Sequence, residues 1–135
     1  MATDGNLRRL FRENLRDFDW LAVETGLTTR GVPDANYCCD GAEGWIEAKT
    51  TIGWRVAVRP AQVGWAERRL RCGGRVFVAV RRKRAELWLF SGWALRPLTS
   101  RRLDTVAPLG CWRGGPSRWD WEEVRQLLTV PAQKG

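Results

Sequence analysis

The apolar residues Leu7, Leu10, Phe11, Leu15 and Phe18 recur at intervals of three and four, with Arg8, Arg9, Arg12 and Arg16 between them. That spacing predicts an amphipathic helix over Asp4–Phe18 with a basic outer face. Trp20-Leu21-Ala22-Val23-Glu24 reads as a short strand. From Arg30 the period shortens to two: a turn punctuated by Gly31 and Pro33, a strand, a hairpin at Asp40-Gly41, and a second strand through Trp45-Ile46-Glu47-Ala48-Lys49-Thr50. Thr50 to Arg59 reads as a loop with a short extended piece. Pro60 then suits the first position of a helix reaching about Cys72, which Gly73-Gly74 ends. Val63, Ala66 and Leu70 make one stripe of that helix and Gln62, Trp65 and Arg69 the next.

The continuous apolar run Arg75-Val76-Phe77-Val78-Ala79-Val80 is the pattern of a central strand covered on both faces, and Glu86-Leu87-Trp88-Leu89-Phe90 is its hairpin partner. Arg81-Arg82-Lys83-Arg84 falls between them, four consecutive cations expected at the hairpin tip. The order is α-β-β-β-α-β-β, which implies an α/β domain with a mixed sheet flanked by helices. We place this core at residues 1–92 and a C-terminal extension, packed on it, at 93–135. Within the extension Ser117-Arg118-Trp119-Asp120 resembles a capping box opening a last helix to about Thr129. Its tryptophans, Trp93, Trp112, Trp119 and Trp121, are expected to pack onto the core, with base stacking or a dimer interface as the other uses.

Charge narrows the class of partner. Lys+Arg number 23 against 15 Asp+Glu, a formal charge of +8. Most of the cations are arginines, whose planar fork suits phosphate, so a polyanionic partner is the natural inference. There is no histidine. Histidine-dependent hydrolysis, HNH-type nucleases and histidine-ligated zinc are therefore excluded, and hydrolytic chemistry would rest on carboxylates, lysine and water. Cys38, Cys39, Cys72 and Cys111 match no zinc spacing and read as reduced thiols, with Cys38 and Cys39 on opposite faces of a strand. No apolar run is long enough to span a bilayer and no secretory signal follows Met1, so the expectation is a cytoplasmic protein without membrane contact.

Candidate chemistry converges on the hairpin. Two-residue alternation puts Glu47 and Lys49 on one face, and Asp34, if it begins the neighbouring strand, comes within a few ångströms of Glu47 because paired strands lie roughly 4.8 Å apart. Two carboxylates and an amine at a sheet end can hold a hard divalent cation, with the ammonium beside an attacking water or a phosphate oxygen. The same residues also fit an ordinary hairpin with a surface ion pair.

Pro33-Asp34 followed by Glu47-Ala48-Lys49 resembles the PD-(D/E)xK nuclease superfamily. Gly31-Val32-Pro33-Asp34, Trp45-Ile46-Glu47-Ala48-Lys49 and Gln62-Val63-Gly64-Trp65 look like the VRR-Nuc group and the archaeal-type Holliday junction resolvases, over about Trp20 to Phe90. The resemblance implies a restriction-endonuclease-like fold and a DNA endonuclease dependent on Mg²⁺ or Mn²⁺, selective for junctions or other branched DNA. Asp34, Glu47 and the main-chain carbonyl of Ala48 would be metal ligands, Lys49 and Gln62 catalytic. A further acid would come from Glu24 in preference to Glu13. Arg30, Arg59, Arg81, Arg82, Lys83 and Arg84 are the candidate DNA-binding residues, and paired cuts imply a homodimer. A non-catalytic DNA-binding or assembly module with the same fold is the alternative.

Overall fold

The computed structural model describes residues 6–23 and 31–130. Along the chain come α1 (Leu7–Asn14), β1 (Asp19–Ala22), β2 (Ala35–Cys39), β3 (Ala42–Thr51), α2 (Pro60–Arg71), β4 (Val76–Arg82), β5 (Glu86–Ser91), α3 (Leu95–Leu98), β6 (Gly110–Trp112) and α4 (Trp121–Thr129). One six-stranded sheet holds the strands in sequence order. Every neighbouring pair is antiparallel except β3 with β4. Local chemistry accounts for this. Asp40 and Gly41 take φ of 51° and 79°, the left-handed pair that a two-residue hairpin turn requires, and Cys39 faces Ala42 across it. A parallel pair needs a long crossover, and α2 supplies it between β3 and β4.

Each face of the sheet is covered. On one, Tyr37, Ile46, Ala48, Ala79, Leu87 and Leu89 pack with Leu7 and Phe11 of α1 and Val124 and Leu128 of α4. On the other, Val76, Val78, Val80, Trp88 and Phe90 pack with Val63 and Ala66 of α2 and with Leu95 and Leu98. This explains the unbroken apolar run of β4, which is buried from both sides. Cys38 is exposed and Cys39 buried, as strand alternation requires, and all four thiols are free.

The C-terminal residues join the sheet as β6 and cover it as α4. Trp112 and Trp119 are buried against the cluster that holds α1, and the Nε1 groups of Trp112, Trp119 and Trp121 donate to Glu123 Oε1, Ala85 O and Pro116 O. Trp93 remains 48% exposed.

Two helix boundaries differ from those expected. α1 ends at Asn14, with Leu15 at φ −125°, so Phe18 reaches the core from the following turn, where its ring stacks on Trp20 at 5.4 Å. The cap of α4 is Asp120, whose side chain accepts from Glu123 N–H at 3.0 Å, three residues after Ser117. Pro116–Arg118 is already a tight 3₁₀ turn behind Gly115 at φ 91°, which leaves Ser117 inside that turn.

Tyr37 ties β2 to α4. Fully buried in β2, it donates to Leu128 O at 2.6 Å, an oxygen in the last turn of α4 that has no helical partner. Burial pushes its phenol pKa upward. Tyr37→Phe keeps the ring but strips the carbonyl of its donor. We expect a loss of about 1–2 kcal/mol, read as a lower denaturant midpoint with an unchanged slope.

Candidate active site

Asp34 directly precedes β2, and Ala35 pairs with Ile46, so Asp34 stands across from Glu47. Its Oδ2 accepts the Ala48 N–H at 2.8 Å, which fixes the carboxylate against β3. Because Ile46 and Ala48 turn toward the α1 side, Glu47 and Lys49 turn toward α2. There Gln62, in the first turn of α2, meets both. Its Nε2 donates to Glu47 Oε2 at 2.8 Å, and its Oε1 accepts from Lys49 Nζ at 3.1 Å and from Arg59 N–H at 3.0 Å. The amide has one workable orientation, because flipping it would set its NH₂ against two donors. Lys49 Nζ lies 3.6 Å from Glu47 Oε2.

These groups open onto a cleft of about 520 Å³ lined by Asp34, Glu47, Ala48, Lys49, Thr50, Ala57, Arg59 and Gln62. Glu47 is only 6% exposed. Burial, and then the Asp34 charge, raise its pKa from 4.5 to about 7, while Lys49 and Arg59 pull the other way. An acid kept near neutrality by burial and by a second acid is relieved by a cation, and two carboxylates with a neighbouring main-chain carbonyl are the oxygen donors a hard divalent ion takes. The donor set therefore fits Mg²⁺ or Mn²⁺. No group of three metal-ligating side chains occurs among the described residues, so water would complete the coordination.

Asp34, Glu47, Ala48, Lys49, Gln62 and Arg59 are thus brought together. Glu24 and Arg30 lie outside the described residues. Glu13 sits on the exposed face of α1, paired with Arg9 at 2.9 Å, and does not line the cleft. Thr50 and Ala57 line it without having been expected to. Both follow from the strand end and the loop into α2, a contact between segments that no local pattern announces.

Gly31 is a second such contact. At φ 79°, it lies so close to the start of α2 that a Cβ would fall 2.1 Å from Ala61 O and 3.0 Å from Gln62 N. The segment that leads into Asp34 and the helix bearing Gln62 meet at this point with no room for a side chain.

The basic run requires a correction. Arg81 and Arg82 are not on an exposed tip; they belong to β4 and are buried. Arg82 donates from Nε to Gly53 O at 2.8 Å, pairs with Glu86 at 2.9 Å, and lies 3.5 Å over the Trp54 ring. Arg81 Nε donates to Arg84 O at 3.0 Å. Burial and the neighbouring Arg84 charge push the Arg81 pKa below the usual arginine value. The strand continues two residues beyond the apolar run because each guanidinium finds a local acceptor, which leaves Lys83 and Arg84 at the exposed turn.

No protein-family model matches the chain, and no curated protein does. Among solved structures the chain is similar to Archaeoglobus fulgidus Hjc, a Holliday junction resolvase from an archaeal hyperthermophile. The identity is 20% and the TM-score 0.48, over 63% of this chain and 73% of that one. The architecture is the mixed sheet flanked by helices that the sequence predicts. No helix among the described residues is long and apolar enough to cross a membrane.

Proposed function

We propose that the protein is a Mg²⁺- or Mn²⁺-dependent DNA endonuclease that hydrolyses phosphodiester bonds in branched DNA, the four-way junction foremost. The observation that supports this best is the convergence of Asp34, Glu47, Lys49 and Gln62 on one open cleft, with Glu47 held near neutrality. Asp34, Glu47 and the Ala48 carbonyl would hold the cation, which supplies Lewis-acid activation of water and neutralises charge on the scissile phosphate when bound. Lys49 sets a fixed positive charge where a phosphate oxygen gains negative charge. Gln62 keeps Glu47 and Lys49 in register through its three hydrogen bonds. Arg59, exposed at the cleft rim, is placed to hold the adjoining backbone. Backbone contacts carry position and no sequence, so selectivity would come from DNA shape.

Two cuts in a junction need two sites related by a two-fold axis, so the active form would be a homodimer. The test is cleavage of linear, nicked, flap and four-way DNA in Mg²⁺, Mn²⁺ or EDTA. We expect metal-dependent cutting with the branched substrates preferred, and a dimer by sedimentation at micromolar concentration. A monomer, with and without DNA, would make the protein a nickase. Tight binding without cutting in any divalent metal would make it a DNA-binding module.

A further inference from the structure

Ile52 follows β3 directly and is 80% exposed. A single exposed apolar side chain is ordinary on a protein surface. This one is set apart by its mounting and its neighbours. Thr51 O accepts Lys83 N–H at 2.9 Å, Gly53 O accepts Arg82 Nε at 2.8 Å, and Trp54 O accepts Leu103 N–H at 2.6 Å. Thr51 Oγ1 also donates to Arg55 O at 2.9 Å, and the Trp54 ring is held between Arg82 and Trp88. The backbone on either side of Ile52 is pinned, so the side chain projects from a rigid bend.

Around it are cations. Thr50, Thr51, Ile52, Arg81, Lys83 and Arg84 line one groove of about 410 Å³. Thr50 also lines the cleft that holds Glu47 and Lys49, which makes the two concavities neighbours. Lys83 and Arg84 have φ of 54° and 63°. Side chains rarely adopt this left-handed conformation, and glycine or asparagine would take it at lower cost, so two cations here trade local stability for charge. Backbone strain of this kind concentrates where a side chain is needed for binding.

We propose that Ile52 is an apolar wedge that enters an unstacked base step at a DNA branch point, while Lys83 and Arg84 grip the phosphates beside it. This rests on the nuclease reading given above and adds the device by which that site would select branched DNA. Apolar side chains that enter a base step must overcome stacking, which is weakest where helices meet or end, and they do so best when rigid and flanked by phosphate-binding cations. From Lys49 to Ile52 the chain advances on the order of 10 Å along the strand direction.

The test uses synthetic four-way junctions with 2-aminopurine placed singly at and near the branch, and linear duplexes of matching sequence, all in EDTA so that nothing is cut. With the parent protein, 2-aminopurine fluorescence should rise severalfold at a branch position and stay flat in the duplex. Ile52→Ala should abolish that rise and lower the ratio of junction to duplex affinity about tenfold. Lys83→Gly with Arg84→Gly should weaken binding to both DNAs and reduce the salt slope by nearly two, at about 0.9 per phosphate contact. The same double variant should melt no lower than the parent, since glycine relieves the strained turn. No fluorescence rise with the parent, or an unchanged rise and ratio with Ile52→Ala, overturns the wedge and leaves the nuclease reading standing. A branch-specific rise from a protein that cuts nothing in Mg²⁺ upholds the wedge and removes the nuclease.

Discussion

Asp34→Asn and Glu47→Gln are each expected to abolish cleavage in Mg²⁺, by about a thousandfold or more in kcat, while DNA binding in EDTA holds or tightens. Each removes a negative charge from a cleft that must receive phosphate, and each removes a carboxylate from the donor set. Lys49→Ala should abolish cleavage as well, but by removing positive charge it should weaken binding to DNA. Opposite effects on binding joined to one effect on catalysis separate a catalytic centre from a structural ion pair, whose loss would chiefly change stability. Single-turnover cleavage and filter binding in EDTA give both quantities for each variant. Normal cutting by all three would remove these residues from the active site.

The site was legible because its signals are local. Pro33-Asp34, the Asp40-Gly41 turn and the alternation of Glu47 and Lys49 fix three side chains within one hairpin, and hairpin register follows from turn chemistry. Gln62 was legible for a related reason: Pro60 marks the first turn of α2, and a crossover helix must start near the end of the strand it leaves. The basic run misled because sequence shows charge and not acceptors. Arg81 and Arg82 look like their neighbours Lys83 and Arg84, yet Gly53 O, Glu86 and the Trp54 ring come from other segments and draw Arg82 inward. Ile52 was passed over for the converse reason, since only the pinning of its neighbours by Lys83, Arg82 and Leu103 makes it more than a stray apolar residue. The same holds for β6, three residues whose pairing with β5 no periodicity could reveal.

Glu47→Gln should also raise the melting temperature of the metal-free protein, and the rise should depend on pH. In the folded chain Glu47 keeps its proton up to about pH 7, against 4.5 for an ordinary glutamate. Between those values the folded state binds more protons than the unfolded one. Stability from this group is therefore fully present below pH 4.5 and is lost as pH rises through 7. The shift corresponds to at most about 3 kcal/mol by pH 8, at 1.36 kcal/mol per pH unit. Glutamine has the shape of the protonated acid, and its amide can still accept from Gln62 Nε2, so the variant should keep what the parent loses. At pH 8 it should melt on the order of 5–10 °C higher, and at pH 4.5 the two should melt alike. Adding Mg²⁺ should close the gap at pH 8 by stabilising the parent alone, since a cation competes with the proton for the same carboxylate. Calorimetric scans from pH 4.5 to 8, with and without Mg²⁺, read all of this. A difference that stays constant with pH would mean that Glu47 is ionised throughout and that its burial carries no strain for a cation to relieve.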